Sequence, residues 1–436
     1  MSDILLASVP IHGHVAPLLP LARHLVERGD RVRFLTGTRF ADAVRATGAA
    51  HVPLPAEADF DDRDVTSRFP ERDALSPVKA IAFDFEHIFV RPGEHQYAAL
   101  RQLIAAAPTD AVVCDPLLFG AALFVESEAD DRIPVIVAGL VPLNYPGPGL
   151  APFGLGLPPS DGIAGRVRNS VLAGVTRRLF RPVAAAATEI AERIHGRPMS
   201  GAILDWLPRA DAVCQLTVPR FEYPRPDAPD SLVFVGPLAA AVPASQQYPS
   251  WWGDLDTARA VVHVTQGTIA NDDLGELILP TIAALADSDA LVVVATGGVP
   301  VDRLGPLPAN VRAAEFLPYD ALFARTDVFV TNGGYGGSQF ALRHGVPLVV
   351  APGKEDKVEV AARIAWSGVG VNLKTQRPSA EQLRRAVGRV LIEPGYREAA
   401  AAIGADIAAS PGAAGFADTL DRTIARHPNP TRTRLG

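Results

Sequence analysis

The stretch from Thr326 to Val350 constrains the fold more than any other part of this chain. The apolar run Thr326-Asp327-Val328-Phe329-Val330 reads as a buried strand. The run Asn332-Gly333-Gly334-Tyr335-Gly336-Gly337-Ser338-Gln339 follows it. Phe340 to His344 then reads as a helix stopped by Gly345, and Val346-Pro347-Leu348-Val349-Val350 as a second strand. Strand, helix and strand in so short a span imply a parallel crossover, and a parallel sheet needs helices on both faces. The chain is therefore of the α/β class. The glycine turn lies where strand gives way to helix. Unpaired backbone N–H groups and the helix dipole attract anions there, phosphate above all.

The same alternation runs through both halves. Near the N-terminus Ile4 to Val9 predicts a strand, His12-Gly13-His14 a turn, and Pro17 to about Glu27 a helix that Gly29 ends. A strand at Arg31 to Leu35 and a helix near Phe40 to Ala46 come next. Further strands fit Ala111 to Cys114, Ile133 to Ala138 and Ala212 to Leu216. Asp59 to Pro77 and Val141 to Asp161 resist regular assignment. Beyond Pro219 the composition turns rich in Pro and charge. The alternation then resumes with a strand at Ala260 to Val264, a Gly267-Thr268 turn and a helix from about Asp273 to Leu285. A strand at Ala290 to Ala295, the pair Gly297-Gly298, a strand at Val311 to Glu315 and a helix at Tyr319 to Ala324 complete it. At 436 residues, 48% of them apolar, the chain exceeds one hydrophobic core and can fill two. The expected layout is a Rossmann-like domain over 1–220, a linker over 221–250 and a second Rossmann-like domain over 251–410. These doubly wound domains face each other across a cleft at the carboxyl ends of their strands.

Several function classes are disfavoured. A net charge of −7 gives no nucleic-acid footprint. No basic run or basic amphipathic helix suggests a membrane surface, so no stable membrane insertion is expected. Ile4 to Pro10 is too short for a signal core or a span. Cys114 and Cys214 lie in apolar runs and read as buried, reduced thiols, and a cytoplasmic location is expected. The glycines lack the G-x-G-x-x-G spacing of a dinucleotide site, and no G-K-[ST] occurs, so neither NAD nor ATP is favoured. The glycines alone would also suit tight helix–strand packing. Pro352-Gly353-Lys354-Glu355-Asp356-Lys357 follows the next strand and lands on the same rim. Beside a phosphate-grade turn, it suits a ligand bearing both phosphate and hydroxyl groups.

These residues resemble a family. Phe316-Leu317-Pro318, Asp327 to Gly334, Gly345-Val346-Pro347 and Asp356-Lys357 look like the donor signature of the family-1 nucleotide-sugar glycosyltransferases of GT-B fold. Bacterial macrolide and polyketide glycosyltransferases and plant UDP-glycosyltransferases belong to it. Gly13-His14-Val15-Ala16-Pro17 looks like the opening of the family's acceptor domain. The resemblance implies a donor base against Phe316 and Leu317, a diphosphate over Asn332, Gly334, Gly336, Gly337 and Ser338 and near Gly267 and Thr268, and sugar hydroxyls at Asp356 and Lys357. Two residues depart from the pattern: Asn332 replaces the usual histidine and Lys357 the usual glutamine. It further implies a nucleoside-diphosphate sugar (UDP- or TDP-) as co-substrate, no other cofactor, inverting transfer without a metal, and a helix over 411–427 that crosses back to the N-terminal domain.

Transfer to a hydroxyl requires a base, and histidine suits it because its pKa lies near working pH. His14 follows the first strand, and Asp115 follows the strand Ala111 to Cys114. Adjacent parallel strands would bring the carboxylate to the imidazole, which it would orient and then counter-charge. His14 as base and Asp115 as its orienter are the residues the family pattern also picks, with His12 a decoy. The segments Asp59 to Phe89 and Val141 to Leu157 supply Phe60, Phe83, Leu143, Tyr145 and Phe153 as an apolar acceptor pocket for a polyketide, macrolide, ansamycin or phenolic hydroxyl, in antibiotic biosynthesis or inactivation. Two alternatives stay open: another GT-B enzyme, an epimerase or lipid-linked sugar transferase, and a non-catalytic auxiliary protein of the same fold. Either a monomer or a homodimer is compatible with the sequence.

Overall fold

The computed structural model describes residues 1–127, 132–145, 147–160, 162–200, 205–238, 248–268, 271, 273–353 and 356–427. Lys354 and Glu355 of the charged cluster, residues 239–247 of the expected linker and the tail from 428 onward lie outside these.

Two all-parallel sheets organise the chain. The first has seven strands: β1 (Asp3–Ala7), β2 (Arg31–Thr36), β3 (Ala50–Pro53), β4 (Ala111–Cys114), β5 (Val135–Gly139), β6 (Ala212–Gln215) and β7 (Leu232–Phe234), in the order β3-β2-β1-β4-β5-β6-β7. The second has six: β8 (Val261–Thr265), β9 (Leu291–Ala295), β10 (Val311–Ala314), β11 (Val328–Thr331), β12 (Leu348–Val350) and β13 (Gly370–Asn372), in the order β10-β9-β8-β11-β12-β13. The central strands are buried on both faces, which explains why they read as unbroken apolar runs (all of β1, β4, β5, β8, β9 and β11 is buried).

Two edges departed from the sequence expectation. β7 falls inside the segment 221–250 read as a linker, because three apolar residues pair with β6 there. The helix after the glycines begins at Tyr335, five residues before Phe340. Low helix propensity argues against placing Gly336 and Gly337 in a helix. Tertiary contacts of Tyr335 anchor that first turn: its ring stacks on Phe221 and its hydroxyl lies 3.3 Å from Gln215 Nε2.

Helices cover both faces of each sheet. The last of them, Gly412–Arg426, packs Phe416, Ala417 and Leu420 into the core under the first sheet, beside Leu21, Leu25 and Val113. Arg28 pairs with its Asp421 at 2.8 Å.

Candidate active site

Each sheet changes direction at its centre, and crevices at such switch points are where open α/β sheets bind ligands. In the first sheet β1 lies between β2 and β4, with Ala7 level with Cys114. The single turn His12–Val15 leaves the end of β1, and Asp115 leaves the end of β4. His14 Nδ1 meets Asp115 Oδ1 at 3.3 Å. Asp115, fully buried, also accepts from the backbone N–H groups of Leu117 and Val9, both at 2.7 Å. Those two bonds leave the carboxylate little freedom, so it fixes the imidazole in turn. With Nδ1–H donated to Asp115, Nε2 is the basic nitrogen. Among the described residues Nε2 has no protein partner. His12 differs in kind: its side chain is exposed, and it is its backbone N–H that Asp62 engages, at 2.7 Å.

The second switch point lies between β8 and β11, where Gln266-Gly267-Thr268 and Asn332-Gly333-Gly334 emerge side by side. Asn332 Nδ2 donates to the Gln266 carbonyl at 2.6 Å and so ties the two turns together. Gly333 holds φ +91°, and a Cβ there would come within 2.9 Å of Val350 Cγ2, so only glycine serves. The helix Tyr335–Arg343 has no side-chain cap, which leaves the N–H groups of Tyr335, Gly336 and Gly337 unspent within the helix. Gly334, Gly336 and Gly337 have open space where a Cβ would stand. Ser338 Oγ is fully buried and has no protein partner. A buried hydroxyl left unsatisfied beside three unspent N–H groups is a cradle for anionic oxygens.

Around this cradle the other donor-side residues stand as follows. Phe316 is 67% exposed, and its ring lies 3.2 Å from where a Gly298 Cβ would be, giving a flat open shelf after β10. Leu317 packs half-buried beside Leu255. Gly267 holds φ +82° and Thr268 is exposed. Asp356 and Lys357, both half-buried, open the helix Lys357–Trp366.

The expected acceptor residues do not converge. Leu143 and Tyr145 are 1% and 8% exposed and belong to the first core, so they present almost no area to a ligand. Phe83 stacks on His87 at 4.2 Å and meets Phe69 edge-on, while Phe60 lies under Arg68. Phe153 is half-buried on the loop before Gly154. Aromatic content pointed to these positions, and three-dimensional packing divides them between core and surface.

A cluster invisible in the sequence joins the two domains. Arg363, on the helix that begins at Lys357, donates to Glu222 at 2.7 Å and to Glu359 at 2.9 Å, and its guanidinium lies 4.4 Å from the Tyr223 ring centroid. Glu222 accepts the Leu143 N–H at 2.8 Å. Glu359 Oε1 accepts the N–H groups of Gly154 and Gly156 at 2.8 and 2.9 Å. All three charged side chains are buried. Burial by itself lowers the Arg363 pKa, and the Glu222 and Glu359 carboxylates more than reverse that, so the cation is held firmly. Burial pushes the Tyr223 phenol up to about 12. Partners 141 and 205 residues apart leave no local signal in a sequence.

His263 and the two cysteines are structural. Burial pushes His263 down to about 4, and it stacks neutral on Phe329 within a ring of aromatics. Cys114 and Cys214 are buried free thiols, and burial pushes Cys214 up to about 12. Among the described residues no group of His, Cys, Asp and Glu has metal-binding geometry.

Comparison with known proteins agrees with this geometry. Residues 280–422 match the family described as erythromycin biosynthesis protein CIII-like, C-terminal domain. The chain is 42% identical to 4'-demethylrebeccamycin synthase of Lentzea aerocolonigenes over 424 residues, 97% of this chain and 99% of that one. It is 36% identical to UDP-glycosyltransferase 2 of Phaeomoniella chlamydospora, covering 97% and 96% of the two chains. The calicheamicin glycosyltransferase CalG4 shares the fold at a TM-score of 0.70 and 23% identity, covering 98% of this chain and all of that one. VinC, solved in complex with DTDP, does so at 0.65 and 22%, covering 97% and 100%. With 42% identity across nearly the whole length of a relative and the two-domain fold in common, the chain belongs to the natural-product glycosyltransferases of GT-B fold.

Proposed function

We propose that this glycosyltransferase moves a sugar from a UDP- or TDP-sugar to a hydroxyl of a small apolar natural product, with inversion and without a metal. The observation that carries the mechanism is the His14–Asp115 pair at the first switch point. In the reaction the acceptor oxygen attacks the anomeric carbon while its proton passes to His14 Nε2. The bond from the anomeric carbon to the phosphate oxygen breaks, and its electron pair leaves with the nucleoside diphosphate. Asp115 stabilises the imidazolium. The growing negative charge meets the N–H groups at Gly336 and Gly337 and the Ser338 hydroxyl, donors already in place before the bond breaks.

Donor assignment follows the same geometry. The base lies on Phe316 and against Leu317, the diphosphate over Gly334 to Ser338 beside Gly267 and Thr268, and the sugar hydroxyls reach Asp356 and Lys357. Asn332 orients the turn and keeps one N–H for a phosphate oxygen. Phe60, Phe83 and Phe153 remain candidate acceptor contacts; Leu143 and Tyr145 act behind them as core.

The test is kinetic. His14→Ala and Asp115→Asn are expected to lower turnover by about 10²–10⁴-fold on an alcohol acceptor while stabilisation of the protein by UDP or TDP persists. Near-full turnover by His14→Ala would remove the base. Stabilisation by NAD and by no nucleoside diphosphate would remove the donor site.

A further inference from the structure

The helix Ile163–Leu179 is built inside out. Its inward face is small and polar: Gly165 packs against Ser160, and the buried Asn169 donates to the Gly149 carbonyl at 2.9 Å. Its outward face carries Ile163, Val167, Val171 and Val175, which are 74%, 59%, 62% and 61% exposed. Four apolar residues at i, i+4, i+8 and i+12 form one ridge about 18 Å long. An ordinary surface helix turns such a ridge to the core.

Charge says what covers it. From Gly162 to Thr188 the chain has no acidic residue, although the protein as a whole carries −7. Arg166 and Arg178 share the i, i+4 row next to the ridge, with Arg178 at its end, while Arg177 falls in the row of Gly165 and Asn169. Arg177, Arg178 and Arg181 make no ion pair or side-chain hydrogen bond with the described residues, whereas most other arginines here are paired. Arg178 and Arg181, with Pro182 and Ala185, line a shallow, open depression of the surface at the C-terminal end of the ridge. An exposed apolar ridge flanked by cations, ending in an arginine-lined depression, has the chemistry of an anionic phospholipid surface, with acyl chains for the ridge and a phosphate headgroup for the depression.

We propose that this helix docks the enzyme in the plane of an anionic bilayer. Other occupants fit less well. A second copy would set this cationic face against its own charge. A protein partner is usually gripped through aromatic anchors in pockets, and the ridge has neither aromatic residue nor pocket along it. No helix among the described residues is long and apolar enough to cross a membrane, so the contact is peripheral. The sequence expectation had no membrane surface in it, because no basic run or basic amphipathic helix stood out. Arg168 of this helix reaches Pro158, and Asn169 holds Gly149, so docking sets the loop 147–160 at the lipid boundary, where an apolar acceptor partitions.

The lipid contact stands apart from the transfer reaction, and vesicle co-flotation of the full chain tests it. Vesicles of phosphatidylcholine with about 30% phosphatidylglycerol are expected to carry the protein, and vesicles of phosphatidylcholine alone are not. Raising the salt to about 1 M should release most of it. The double variant Val167→Glu with Val171→Glu should lose at least about tenfold in bound fraction, and Arg178→Gln with Arg181→Gln a comparable amount. Both variants change exposed side chains, so thermal stabilisation by UDP or TDP should match the parent, which separates this contact from the donor site. Three results would overturn the proposal: no binding to the anionic vesicles, binding unchanged in both variants, or a protein dimer in solution that the valine variant dissolves.

Discussion

At Asn332 a histidine position of the family carries an uncharged amide that is already bonded to the Gln266 carbonyl. Its side chain ties the turns after β8 and β11 together, so under the proposed donor assignment the positive potential for a diphosphate comes from the backbone N–H groups at the helix start. Ser338 makes the complementary point. Its hydroxyl is buried without a partner, and a buried donor left unpaired costs free energy until a ligand takes it up. Ser338→Ala is therefore expected to weaken UDP or TDP by about tenfold in calorimetric titration, with the melting temperature of the free protein unchanged or raised. Unaltered affinity would mean that the hydroxyl does not touch the diphosphate. His14 and Asp115 were legible as residues because their chemistry and their places after strands agreed. The ties of Asn332 and Ser338 were not, since neither a hydrogen bond to a residue 66 positions away nor the lack of one is written locally.

Among elements, the helix Lys357–Trp366 links the two domains. It starts at Lys357, with Asp356 before it, beside the Gly333 turn, and Glu359 two residues on grips the loop at Gly154 and Gly156. Arg363, one turn further, locks Glu222 and through it Leu143. A buried triad of this kind adds little net stability, since desolvation offsets attraction, but it defines one relative placement of its elements. Glu359→Ala leaves Arg363 paired with Glu222 and frees the two glycine N–H groups. Their amide exchange is expected to rise by about ten- to hundredfold, with β5 unaffected, in hydrogen–deuterium exchange. Equal protection in the variant would show that the loop is held by packing instead. The glycine-rich helix start belongs at this scale too. Propensity put the helix at Phe340, and the anchoring of Tyr335 on Phe221 and Gln215 moved it to Tyr335.

At the scale of the whole molecule, the last described helix returns to the first domain. The helix Gly412–Arg426 buries Phe416 and Leu420 under the first sheet, against β6 and beside Leu21 and Leu25, all of them far back along the chain. Phe416→Ala should cost about 3–5 kcal/mol and lower the melting temperature of the N-terminal domain, seen as earlier loss of protection in β1 and β4. Loss confined to the second domain would place the helix elsewhere. What the sequence determined by itself is the pair of parallel sheets, the glycine turn between a strand and a helix, and the placing of His14 and Asp115 at neighbouring strand ends. Period, apolar runs and glycine positions are local signals, and the strand order β2-β1-β4 converts two of them into neighbours. What only the tertiary structure decided is which side chains face which surroundings. It sent Leu143 and Tyr145 into a core, turned Val167 and Val171 out to solvent, and joined Arg363 to Glu222 across the domain junction. Helical spacing fixes that residues share a face, but the direction of that face depends on every other element packed around it.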